Sequence, residues 1–82
     1  MLDYDFIWDD RPGGNIAHIA LNDLTPEDVI HAFHHVEDFT ISRSSGRLAL
    51  IGATPDGDRI FVPYTEIDAT TVYVHTAYRI RG

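Results

Sequence analysis

Apolar residues in this 82-residue chain change their spacing once, near residue 38, and that change limits the fold more than any other feature. Between residues 16 and 36 they recur at helical intervals. From Phe39 onward they alternate, in runs separated by turn residues. Helical spacing puts one stripe of a segment against a core, whereas alternation puts one face of a sheet there. A chain written in this order stacks two short helices on the strands that follow them.

Local signals mark the elements. Residues 4–8 read as a first strand, with Tyr4, Phe6 and Trp8 on one face. Pro12-Gly13-Gly14 ends it, and Asn15 is placed to cap a helix over 16–22. Asn22-Asp23 stops that helix. Thr25-Pro26-Glu27-Asp28 then supplies a capping hydroxyl, a proline in the first turn and two carboxylates at a helix start. Val29, Ile30, Phe33 and Val36 form its apolar stripe, and it ends within 34–37.

Strands are expected over 39–42, 47–51, 59–67 and 71–80. Ser44-Ser45-Gly46 forms one turn and Thr54-Pro55-Asp56-Gly57-Asp58 another, since Asp-Gly tolerates positive φ. The apolar run 59–67 suits a central strand only if Pro63 sits at a bulge. In 71–80, Val72, Val74, Thr76 and Tyr78 are expected to share one face, and Tyr73, His75, Ala77 and Arg79 the other. The order is β-α-α-β-β-β-β, an α+β domain over 1–82. Its antiparallel sheet is expected to have about four to five strands, with both helices on one face.

A chain this short buries only roughly 60–65% of its unfolded surface, so the core is small. With no cysteine there is no disulfide and no thiolate metal site. No apolar run approaches the length of about 18 residues that a membrane span needs. The first residues lack a basic and then apolar leader, so a cytoplasmic protein is expected. Thirteen acidic residues face six arginines, and there is no lysine. A net charge of −7 argues against non-specific nucleic-acid binding and suits a partner with a basic segment.

Four stretches together resemble the BrnT family of type II toxin–antitoxin toxins, which have the RelE/ParE-like ribonuclease fold. They are Phe6-x-Trp8-Asp9 with Asn15, then Leu24-Thr25-Pro26-Glu27-Asp28-Val29. Next come Arg47-Leu48-Ala49-Leu50-Ile51-Gly52 and Asp58-Arg59-Ile60-Phe61-Val62-Pro63-Tyr64-Thr65. The resemblance runs from Phe6 to Arg79. It implies a metal-free endoribonuclease neutralised by a cognate antitoxin. Two departures stand out. Tyr78 occupies the place of an arginine that the family carries on its last strand, and this chain is acidic where such toxins are commonly basic.

Metal-free RNA cleavage needs a base for the 2′-hydroxyl, a cation for the phosphate and an acid for the leaving oxygen. Arg47 matches the family position for the cation. Tyr78 and His75 are the candidates for proton transfer, and His18 is a fourth catalytic candidate. The alternative for His18 is a helix-one histidine bonded to a neighbouring backbone carbonyl or to Asp9 or Asp10. Arg43, Arg59 and Arg79 are candidate phosphate holders, each with a surface ion pair as its alternative. His31 and His35 have the i, i+4 spacing of metal ligands, but no third ligand is evident, so no metal or other cofactor is expected.

The expected partners are an antitoxin protein and RNA, with no membrane. The competing reading is a non-catalytic member of the same fold that binds protein or forms a homodimer.

Overall fold

A computed structural model describes residues 4–43 and 46–80. The elements run β1 (Asp5–Ile7), α1 (Asn15–Ala20), α2 (Pro26–His34), β2 (Val36–Ile41), β3 (Leu48–Ala53), β4 (Arg59–Glu66), β5 (Thr71–Val74) and β6 (Tyr78–Arg79). The sheet order is β1-β5-β4-β3-β2, with β6 also paired to β4. The α+β architecture is as expected, but among the described residues the sheet has six strands rather than four to five, because β6 follows β5 as a separate strand. The sheet is mixed: β1 lies parallel to β5, while the other pairings are antiparallel. The chain leaves β1 at one edge and crosses the sheet through both helices to enter β2 at the other.

Helix α2 forms as its start dictates. Thr25 Oγ1 accepts from the Asp28 N–H at 3.3 Å, and the Asp28 carboxylate accepts from the Thr25 N–H at 3.0 Å. Val29, Ala32 and Phe33 then face the sheet. The start of α1 differs from expectation. Gly14 is its N-cap and Asn15 its first residue, with no side-chain cap. Asn15 is used elsewhere, as described below.

Both helices cover one sheet face. Ile19 of α1 and Val29 and Phe33 of α2 pack on Leu50, Ile60, Val62, Val72 and Val74. Tyr4, Phe6 and Trp8 close the edge of this core, and Phe6 meets Phe33 edge-on at 4.9 Å. Gly52 permits the close approach of α2, because a Cβ there would collide with the Ala32 carbonyl. The hairpin from β3 to β4 turns at Gly57, at φ 88°, where Thr54 caps both sides. Ser44 and Ser45, expected in a turn, lie outside the described residues.

The run 71–80 is a strand broken once. Tyr64 pairs with Val74, but Phe61 pairs with Tyr78, so the register slips by one residue between β5 and β6. Pro63 lies opposite the slip. Its carbonyl accepts from the His75 N–H at 3.0 Å, and it has no N–H to return. The bulge expected for Pro63 therefore forms in the partner strand. The slip reverses the alternation beyond it: Ala77 and Arg79 join Val72 and Val74 on the helix side, and Tyr78 joins His75 on the open side. The expected face assignment for Ala77, Tyr78 and Arg79 is corrected accordingly. Among the described residues, no helix is long and apolar enough to cross a membrane.

Candidate functional site on the open sheet face

The face away from the helices carries the strand positions that alternate with the core. Ala49 pairs with Pro63, Thr65 pairs with Tyr73, and His75 bonds to Pro63. Extending the Ala49–Pro63 register by two residues sets Arg47 level with Thr65. Arg47, Thr65, Tyr73 and His75 thus gather on one side of the sheet.

The His75 ring is held from two directions. Its Nε2 and Thr65 Oγ1 are 2.6 Å apart, and its ring meets Tyr73 at 5.2 Å in an edge contact. Burial pushes its pKa down, and the nearby charge of Arg47 pushes it further the same way. Below its ordinary value of about 6.5, the ring is neutral at pH 7 and keeps one nitrogen as a lone-pair acceptor. Arg47 itself makes contacts within the protein. The pair is a cation beside an uncharged base.

Tyr78 stands on the same face, against Phe61 at a ring separation of 5.3 Å. With Thr40, Ser42, Arg43, Ile51 and Phe61 it lines a groove of about 420 Å³. Its floor is apolar, while Thr40, Ser42 and Arg43 are polar. A second, shallow hollow of about 630 Å³ lies beside β6, bounded by Leu21, Asn22, Asp23, Tyr78 and Arg79.

The other candidates are occupied structurally. His18 Nδ1 donates to the His75 backbone carbonyl at 3.3 Å, the same carbonyl that Pro63 cannot serve. His18 therefore reaches the backbone of His75 rather than its ring, and the carbonyl it meets is 57 positions away in sequence rather than a neighbouring one. Arg59 pairs with Glu37 at 2.8 Å. Arg79 pairs with Asp58 at 3.1 Å and also donates to the Asn22 and Asp23 carbonyls, tying β6 to the turn between the helices. His31 donates to the Ala53 carbonyl at 2.7 Å and stacks on His35, with ring centres 4.1 Å apart. Among the described residues, no three His, Cys, Asp or Glu side chains converge as metal ligands.

The opening motif is architectural. Asn15 is buried, and its amide donates to the carbonyls of Ile7 and Val74 at 2.7 and 3.0 Å. Its Oδ1 accepts from the Asp9 N–H at 2.7 Å. It thereby joins β1 to β5 where the two strands diverge. Asp9 pairs with Arg11 through both carboxylate oxygens, and that contact holds its carboxyl down to about 2. Gly14 must be glycine because a Cβ would strike Asp9. Asn22 completes the set by donating to the Ala77 carbonyl at 2.9 Å.

Sequence reasoning did not find Thr65. It closes the stretch 58–65, and alternation puts residues 61, 63 and 65 of that strand on one face. Compared with known proteins, this chain matches no family model, no curated protein and no solved structure.

Proposed function

We propose that the protein is the toxin of a type II toxin–antitoxin pair, a metal-free endoribonuclease of the BrnT and RelE/ParE-like kind. One observation carries the reading: Arg47 and His75 share the open face, where Thr65 holds the His75 ring. In the tautomer that donates from Nε2 to Thr65 Oγ1, His75 Nδ1 holds the lone pair. It takes the proton of a ribose 2′-hydroxyl as that oxygen attacks the adjacent phosphorus. Arg47 stabilises the charge gathering on the phosphate oxygens. The bond from phosphorus to the 5′-oxygen breaks, leaving a 2′,3′-cyclic phosphate. Tyr78, on the same face, is the candidate donor of the proton that the 5′-oxygen takes up. An antitoxin with a basic segment would cover this face and suit the acidic chain.

A second reading, a non-catalytic protein-binding module, is favoured by the use of the other arginines. Arg59 and Arg79 are committed to Glu37 and Asp58, which leaves a weak positive field for RNA. Induced expression in a bacterial host, with growth and RNA integrity followed, separates the two. The ribonuclease reading expects growth arrest and RNA loss from the wild type, and neither from Arg47→Ala or His75→Ala. Intact RNA and normal growth with wild-type protein favour the binding module.

A further inference from the structure

The outer edge of β2 is blunted only in its first half, by a bulge and by Glu37 and Asp38. Natural edge strands are usually blunted by charges, prolines or a covering element. Beyond the bulge between Val36 and Asp38, β2 continues as Phe39, Thr40 and Ile41. None of these is charged and none is proline.

The hydrogen-bond phase decides what that edge offers. The Ser42 N–H donates to the Arg47 carbonyl at 2.8 Å, so Ser42 and, by alternation, Thr40 point their backbone groups at β3. Phe39 and Ile41 point theirs outward. Their side chains are also the uncovered ones. They lie on the helix side of the sheet beyond the reach of α2, next to Leu48, with exposures of 54% for Phe39, 60% for Ile41 and 43% for Leu48. Leu48 pairs with Ile41, so the three form one apolar strip.

We propose that β2 is a self-association edge, on which a second copy of this chain pairs antiparallel about Thr40. In that register Phe39 of each copy faces Ile41 of the other. Their outward N–H and C=O groups then meet as hydrogen-bonded pairs, and the two strips of Phe39, Ile41 and Leu48 become continuous. Charge fixes the direction. The acidic start of the strand, Asp38 and the Glu37 that also pairs with Arg59 in its own chain, comes beside Ser42 and Arg43 of the second copy. A parallel arrangement would set Glu37 and Asp38 against themselves. In a chain of net charge −7, this is a stretch where two copies meet without like-charge contact. The inference does not rest on the ribonuclease reading, because the strip faces away from Arg47 and His75.

The test is the solution mass of the full chain by sedimentation equilibrium over a range of concentrations. Wild type is expected to reach twice the 9.2 kDa of one chain. Ile41→Pro removes an outward N–H while leaving the ladder to β3 intact. Phe39→Glu places a charge in the strip. Both variants should remain at one chain's mass, with an unchanged far-ultraviolet spectrum. If Ile41→Pro fails to fold, Phe39→Glu alone decides, since Phe39 is exposed in the single chain. A wild type that stays monomeric at every concentration overturns the proposal. So does a folded Phe39→Glu variant that dimerises as the wild type does.

Discussion

Pro63 and His75 face each other across β4 and β5 with half of a hydrogen-bonded pair. The proline carbonyl takes the His75 N–H, and the His75 carbonyl, left without a backbone donor, is met by His18 from α1. That missing N–H accounts for the one-residue slip between β5 and β6. Through the slip it accounts for Tyr78 standing on the open face and Arg79 on the helix face.

His18 and Pro63 should therefore be coupled energetically. His18→Ala strips the donor from the His75 carbonyl and is expected to cost about 1 kcal/mol. In a Pro63→Val background the valine N–H can serve that carbonyl, so the same His18 change should cost less than half as much. A double-mutant cycle by urea denaturation measures this. Equal costs in the two backgrounds would show that the two residues act independently.

Asn15 joins β1 to β5 through three hydrogen bonds from a buried position. Asn15→Ala removes all three bonds and strips the Val74 carbonyl and the Asp9 N–H of this buried partner, and the expected loss is about 3 kcal/mol. For a domain of this size the melting temperature should fall by roughly 12–24 °C. Thermal unfolding followed by circular dichroism checks it. A change of a few degrees would mean that the strands close without this amide.

Gly52 lies under the carbonyl of Ala32, so Gly52→Ala must push α2 off the sheet. The expected cost is about 2 kcal/mol, within the range of overpacked cores. Gly13 has no neighbour within reach of an added Cβ, so alanine there meets only backbone strain at its φ of 80°. Chemical denaturation of the two variants should rank Gly52→Ala as the more damaging.

The titration of His75 links stability to pH with a definite sign. Burial and then Arg47 hold its folded pKa below the unfolded value of about 6.5. Between those two values the unfolded chain binds more protons, so this group makes stability rise with pH through that window. Its full contribution is present above about pH 6.5, and is lost as pH falls towards the folded pKa. Arg47→Ala removes the second cause and should move the His75 pKa upward, while burial still holds it below 6.5. Ring proton shifts in an NMR titration read this directly. An unmoved pKa would show that Arg47 does not act on the ring.

The parts of this fold that are legible in the sequence are the locally encoded ones. Thr25 and Asp28 close a capping box three residues wide, and Thr54 and Gly57 build a hairpin turn within five. The parallel pairing of β1 with β5 joins residues as far apart as Asp5 and Thr71, and no local pattern announces it. Asn15 is similar: beside a glycine pair it reads as a helix cap, but one of its bonds reaches Val74, 59 positions away. Pro63 announces a bulge but not that the slip falls in the facing strand, so the faces of Tyr78 and Arg79 invert relative to simple alternation. Arg47 and His75 are each visible as candidates. Their meeting follows only from the register of three strands.

Incubating the purified chain with single-stranded RNA in the presence of a metal chelator tests the central claim, that Arg47 and His75 act together on a phosphodiester. Wild type should yield fragments ending in a 2′,3′-cyclic phosphate. His75→Ala and Arg47→Ala should each slow their appearance by about 10²–10⁴-fold while remaining folded. RNA left intact by the wild type, or cleaved by both variants as fast as by the wild type, would contradict the account.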